Sequence, residues 1–270
     1  MLVAFFSGGK DSAVASHIAY VYAKKHSMDF KLVHVNTGIN IPDTEAYVER
    51  YAKWLGTELT VLKPKIDYWE GVKKWGYPML FKNRWCFHHL KQDPIVDFML
   101  SEMRRGVLHP TYVLGVRRNE SRFRMETFER KWYVRHDRVT YKVWLPILHW
   151  DEKLIYNYIK HHNIPENPVW RKLGWSGECL CLAGTSLRNL DRLIDNYPDV
   201  VKMMAEKDKE VQKARRSNKN PEAYTAPLLN LKIPLWKYVE ERKKQKKLFE
   251  FDEGNKCMDC FISTLLSEFS

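Results

Sequence analysis

Long apolar runs are missing from this chain. No stretch of its 270 residues approaches the ~20 consecutive apolar positions of a membrane-spanning helix, so no membrane partner is expected. Cysteine is scarce: Cys86, Cys179, Cys181, Cys257 and Cys260 are too few and too grouped for a disulfide framework in a chain this long. No internal repeat or low-complexity tract stands out, which excludes a solenoid and a compositionally disordered segment. Acidic residues are also in deficit, 33 against 45 Lys and Arg, for a formal charge of +12. Such a surplus favours polyanionic partners, whether nucleic acid or phosphate-rich small molecules. The opening "MLVAFF" runs straight into a glycine loop and reads as a strand, not a signal peptide, so a cytoplasmic location is expected.

What is present is an alternation of strands and helices. Leu2–Phe6 is a continuous apolar run, as in a strand buried on both faces. Val14, Ile18 and Val21 recur at helical spacing. Phe30–Val35 is a second strand. A helix starts near Pro42, Asp43 and Glu45 and stops at Gly56, and Leu59–Leu62 is a third strand. Tyr112–Val116 and Val143–Ile147 read as further strands. The fold class is therefore α/β, a doubly wound, mostly parallel sheet. After Pro165 the chain becomes loop-rich and then helical and charged, with two helices broken at Pro198 and a basic run from Glu241 to Lys247. The expected division is a nucleotide-binding α/β domain over residues 1–165 and a smaller helical, cysteine-bearing part over 166–270.

The stretch "SGGKDS", Ser7–Ser12, lies between the first strand and the first helix, where backbone N–H groups bind anions. Ser7, Gly8 and Gly9 allow close backbone approach, Lys10 adds a cation, and Ser12 a hydroxyl. The spacing is not that of the common P-loop, which needs four residues between its glycine and Gly-Lys-Ser/Thr. The cysteines form two close pairs, Cys179-x-Cys181 and Cys257-x-x-Cys260, which together make one four-thiolate metal site; zinc and an iron–sulfur cluster share that ligand set. Of the ten tryptophans, Trp69, Trp75, Trp85, Trp132, Trp170 and Trp175 alternate with basic residues; core packing accounts for most of them. His88–His89 and His161–His162 lack metal-ligand spacing and read as surface or supporting residues.

"SGGKDS" resembles the pyrophosphate loop of the adenine-nucleotide α-hydrolase (PP-loop ATP pyrophosphatase) superfamily. "HVNTGINIPDTEAYV", "RWCFHHLKQDPI", "LGVRRNESRFR" and "LPILHWDEKLIYNYIKHHNIPENPVW" resemble, in order, segments of its phosphoadenosine phosphosulfate (PAPS) reductase family, which includes DNA phosphorothioation and thiolation relatives. The resemblance implies an adenine nucleotide, ATP with Mg2+ or another adenylate, attacked at its α-phosphorus. It implies nucleotide contacts from Ser7, Gly8, Gly9, Lys10, Asp11, Ser12, Thr37, Gly38 and Gly115. Lys91, Arg117 and Arg122 would meet phosphates or sulfate, with Arg offering a planar fork for their oxygens. Arg118 and Arg124 are expected to be solvated.

The resemblance also leans the thiolate site towards a four-iron four-sulfur cluster, with zinc as the alternative. The chain departs from the reductases in carrying one cysteine at Trp85-Cys86 where a tandem pair is usual, and Cys-x-Cys at 179–181. It has "NKCMDC" where the reductases' terminal Glu-Cys-Gly motif is expected. The preferred ligand set is Cys179, Cys181, Cys257 and Cys260, with Cys86 either a replacement ligand or a sulfur-handling thiolate. Lys10, Ser12 and Cys86 are the expected catalytic residues. The preferred function is ATP-dependent activation of a nucleic acid (tRNA or DNA) for thiolation, with a sulfur donor such as a cysteine desulfurase. The alternatives are a sulfonucleotide reductase that uses a reductant such as thioredoxin and releases sulfite, and a non-catalytic nucleotide-binding partner subunit. A homodimer is one assembly this leaves open.

Overall fold

The computed structural model describes residues 1–78, 84–107, 109–118, 133–136, 139–183, 185–216 and 234–254. Among the described residues six strands form one sheet: β1 (Leu2–Phe5), β2 (Phe30–Val35), β3 (Leu59–Leu62), β4 (Thr111–Val113), β5 (Tyr133–His136) and β6 (Val139–Trp144). Their spatial order is β3-β2-β1-β4-β6-β5. The first five in that order run parallel, with Leu2 opposite both Phe30 and Thr111, and β5 closes the edge antiparallel to β6. The chain leaves β1 towards β2 and β3, then returns to β4 on the other side of β1. This reversal opens a crevice at the carboxyl ends of β1 and β4, where ligands bind in doubly wound sheets.

Three strands differ from their expected bounds, β1 by ending at Phe5, one residue short of Phe6. β4 ends at Val113 because the chain next has to pass the start of the first helix at Gly115. β6 covers Val139–Trp144 instead of Val143–Ile147, since Pro146 has no N–H to donate to a ladder and the chain turns there.

Side-chain alternation along the strands explains the two layers of helices. Leu2, Ala4, Phe6 and Leu32 point to one face, covered by α1 (Lys10–Lys25), α2 (Pro42–Leu55) and α6 (Glu152–His161). Val3, Val33 and Tyr112 point to the other, covered by Val96, Phe98 and Met99 of α5 (Asp93–Arg104). Helix α3 (Tyr68–Trp75) starts on Asp67, whose carboxylate accepts from the amides of Trp69 at 2.8 Å and Glu70 at 3.2 Å. Helix α4 (Trp85–Phe87) runs through a π-helical turn (His88–Gln92) into α5.

The remaining elements are α7 (Pro168–Leu173), α8 (Leu187–Asn196), α9 (Pro198–Arg216) and α10 (Leu235–Gly254), with the break at Pro198 where expected. A third core joins Tyr68, Val72, Trp85, Cys86 and Leu90 to Val169, Leu180, Leu193, Val201, Met204 and Val239. Residues on both sides of position 165 thus share one apolar cluster. No described helix is long and apolar enough to cross a membrane.

Candidate functional site

The Ser7–Gly9 loop leaves β1 and enters α1 at Lys10. Gly8 takes a φ of +76°, and a Cβ there would meet Thr44 Cγ2 at 3.0 Å, so glycine suits the position twice over. The Ser12 hydroxyl staples the loop from inside. It donates to the Gly9 carbonyl at 2.9 Å and accepts from the Ser7 amide at 3.2 Å and the Ser7 hydroxyl at 3.0 Å. No side chain caps Gly9, so the amides at the start of α1 keep the positive end of the helix dipole for an anion.

Lys10 is nearly buried beside this start. Its ammonium lies 3.4 Å from both Asp11 Oδ2 and Glu152 Oε1, and 4.4 Å from the centre of the Trp170 ring. Asp11 turns inward, where Arg117 grips it through Nε at 2.9 Å and a terminal guanidinium nitrogen at 3.3 Å. Gly115 makes that pairing geometrically accessible. A Cβ on it would fall 2.6 Å from the Ser12 amide nitrogen and Cα, so only hydrogen fits between the exit of β4 and the first turn of α1.

The loop after β2 borders the same crevice. Thr37 is buried and donates its hydroxyl to the Glu178 carbonyl at 3.1 Å. Gly38 accepts no close neighbour on its Cβ side within 4 Å. Glu45 organises the loop, taking hydrogen bonds from Asn36 at 2.8 Å and Asn40 at 2.5 Å and meeting His34 Nε2 at 3.0 Å. His34 Nδ1 faces the Phe6 carbonyl at 2.7 Å. Both ring nitrogens therefore confront acceptors, which is the pattern of an imidazolium. Burial opposes the charge, but the bonds to Glu45 and Phe6 prevail and raise the His34 pKa.

The cysteine segment is stitched alongside this loop. The Ile41 amide donates to the Gly177 carbonyl at 2.9 Å, and the Leu180 amide to the Ile39 carbonyl at 2.6 Å. Three thiols, Cys179, Cys181 and Cys86, come together here, close enough for each to shift the others' pKa. Cys86 is drawn below the usual thiol pKa by Cys181 in spite of burial. Cys181 is lowered by Cys179 but raised more by Cys86 and by burial, and is pushed up to about 11. Cys179, beside Cys181 and buried, rises well above the ordinary range. Lys91, carried by the π-helical turn, reaches Glu178 Oε1 at 2.6 Å; burial disfavours its charge, but Glu178 and the neighbouring thiols raise its pKa. Among the described residues no three His, Cys, Asp or Glu side chains converge as ligands of one metal ion.

A family model described as the phosphoadenosine phosphosulfate reductase domain matches residues 1–176. The chain belongs to the PAPS reductase domain family. It is similar to an uncharacterized protein of Methanocaldococcus jannaschii, 30% identical over 198 residues that cover 72% of this chain and 44% of the relative. It is also similar to a phosphoadenosine 5'-phosphosulfate reductase of Xylella fastidiosa strain M12, 28% identical over 170 residues covering 62% of this chain and 65% of that one. The chain thus spans less than two thirds of the length of both curated relatives. Among solved structures, the phosphate complex of a PAPS reductase from Candida auris superposes with a TM-score of 0.45 at 18% identity, over 63% of this chain and 76% of that one.

Within this PAPS reductase domain, Ser7, Gly8, Gly9, Lys10 and Ser12 form one loop, with Gly115 packed on it and Asp11 and Arg117 paired behind it. Thr37 and Gly38 lie on the neighbouring loop. Lys91 stands instead with Glu178 beside the thiols, and Cys86, Cys179 and Cys181 come together there. Arg122, Cys257 and Cys260 lie outside the described residues, as do Arg124 and Trp132. Sequence reasoning gave Glu45 only a helix-start role and did not single out Thr44, Glu152 or Asn167, although Asn167 sits in the Asn-Pro landmark.

Proposed function

We propose that this chain holds an adenine nucleotide with the Ser7–Ser12 loop around its terminal phosphates and cleaves it at the α-phosphorus in a sulfur-transfer reaction. The observation that carries this reading is the physical continuity of the Ser7–Ser12 loop, the Thr37–Gly38 loop and the segment of Cys179 and Cys181, joined through Asn167, Ser176 and Glu178, with Cys86 beside those thiols. Cys86 lies beside Lys91, whose positive charge favours the thiolate, and this suits handling of sulfur next to a nucleotide, since the thiolate is the nucleophile.

The preferred chemistry is thiolation of a nucleic acid. An acceptor oxygen attacks the α-phosphorus of ATP and pyrophosphate leaves. A donor protein's persulfide passes its outer sulfur to Cys86 by thiol exchange; that persulfide attacks the activated atom of the acceptor, AMP departs with the oxygen, and a thiol reductant then cleaves the remaining S–S bond and leaves as a disulfide. Lys10 and the α1 amides would stabilise the leaving pyrophosphate. Cys86 would receive and deliver the sulfur. A thiolate-bound iron–sulfur cluster on Cys179, Cys181, Cys257 and Cys260 would supply a soft site for sulfur or electrons, and the donor set of the first two fits such a metal. The charge of +12 supports a polyanionic acceptor.

A sulfonucleotide reductase is the second reading, supported by the names of the Xylella relatives. Anaerobic product analysis separates the two. ATP converted to AMP and pyrophosphate in the presence of tRNA or DNA supports thiolation; sulfite from adenylyl sulfate or PAPS supports reduction. Turnover of none of these nucleotides would leave only a nucleotide-binding subunit.

A further inference from the structure

Asn167 is 4% exposed and every polar atom of its side chain is engaged. Its amide nitrogen donates to the Gly8 carbonyl at 2.9 Å and the Ser176 carbonyl at 3.0 Å, and lies 3.5 Å from the Thr44 hydroxyl. Its amide oxygen accepts from the Val169 backbone at 2.9 Å and so starts α7. Thr44, fully buried on α2, donates its own hydroxyl to the same Ser176 carbonyl. One buried node therefore ties together the phosphate loop, α2, α7 and the segment that leads into Cys179.

The geometry of a peptide gives this node a direction. Carbonyl and N–H of a trans peptide point opposite ways, so holding the Gly8 carbonyl inward aims the Gly9 N–H into the loop, where it makes a long 3.4 Å contact with Ser7 Oγ. A phosphoryl oxygen that takes up the Gly9 amide pulls on the peptide unit whose other end Asn167 grips. The second half of the grip, Ser176, is followed at once by Gly177, Glu178 and Leu180, whose backbone is bonded to Ile41, Thr37 and Ile39. Glu178 also anchors Lys91 at 2.6 Å.

We infer that Asn167 and Thr44 are positioning residues that couple a pyrophosphoryl group in the Ser7–Ser12 loop to the placement of the Gly177–Leu182 cysteine segment. This rests on the nucleotide reading of that loop. The coupling ties sulfur chemistry to the nucleotide: filling the loop firms the segment that carries Cys179 and Cys181.

Amide hydrogen exchange on the full chain, with and without saturating inorganic pyrophosphate, tests it. In the wild type, pyrophosphate slows exchange across 177–182 by at least about fivefold, the lower end of ordinary coupling between sites. Thr44→Ser keeps the hydroxyl and keeps that slowing. Thr44→Val, of the same shape without the donor, and Asn167→Asp, which retains the oxygen that starts α7 but loses the donor to Gly8 and Ser176, bind pyrophosphate and lose the slowing. A simple structural role would alter exchange equally with and without pyrophosphate. Wild-type protein that binds pyrophosphate without any change at 177–182, or a Thr44→Val protein that retains the full change, overturns the coupling and leaves the nucleotide reading intact. Wild-type protein that binds no pyrophosphate overturns both.

Discussion

A methyl group at position 115 would sit 2.6 Å from both the amide nitrogen and the Cα of Ser12, and helix backbone does not yield as the end of a side chain does. Gly115→Ala is expected to cost about 1–3 kcal/mol, the usual range for overpacking. It should also weaken pyrophosphate binding, because the atoms pushed aside belong to the anion-accepting turn. Urea denaturation and equilibrium binding on the same variant check both; unchanged values would remove the role of this contact. Two buried histidines make opposite pH predictions. His34 has a raised folded pKa, so its stabilisation is complete below the unfolded value of 6.5 and is lost as pH rises through the folded pKa. His17 is depressed from 6.5 to about 4, by burial first and by His162 second, so its stabilisation holds above 6.5 and drains away as pH falls towards 4. Denaturation midpoints across pH should lose part of their alkaline slope in His34→Gln and part of their acid slope in His17→Gln.

Elements whose limits depend on nearby residues were readable in advance. The strand Phe30–Val35, the stop at Gly56 and the break at Pro198 follow from apolar runs, a helix-ending glycine and a residue without an N–H. The π-helical turn at His88–Gln92 was not readable, because "WCFHHLKQDP" has no local signal for one extra residue per turn; packing of Trp85, Cys86 and Leu90 in the third core selects it. The antiparallel β5 likewise depends on its pairing with β6. At this scale the basic run on α10 carries a prediction for nucleic-acid binding. Replacing Lys243, Lys244, Lys246 and Lys247 with Gln should flatten the plot of log affinity against log salt, by about 0.7 per lost phosphate contact on single strands or 0.9 on duplex DNA. Binding with an unaltered slope would assign the contact to another face.

Across the whole molecule the decisive feature is how the cysteine-bearing part is built onto the sheet. Cys86 and Cys181 are 95 residues apart in sequence and neighbours in space, with Tyr68 donating to the Cys181 carbonyl at 3.1 Å. Protein purified without oxygen is expected to carry iron and sulfide with broad absorbance near ~400 nm. Cys257→Ser or Cys260→Ser should bleach it, while Cys86→Ser should keep the colour and lose turnover. Stoichiometric zinc without iron would refute the cluster, and colour lost in Cys86→Ser would make Cys86 a ligand. The chain's own pattern determined the α/β class, the glycine loop after β1 and the close spacing of the cysteines, since each depends on periodicity or on neighbours a few residues away. Only the tertiary structure decided that Asp11 turns to Arg117, that Lys91 pairs with Glu178, and that Asn167 joins Gly8 to Ser176. Those partners lie 9 to 159 residues apart, and a buried polar side chain takes whichever partner the packed elements bring within hydrogen-bonding reach.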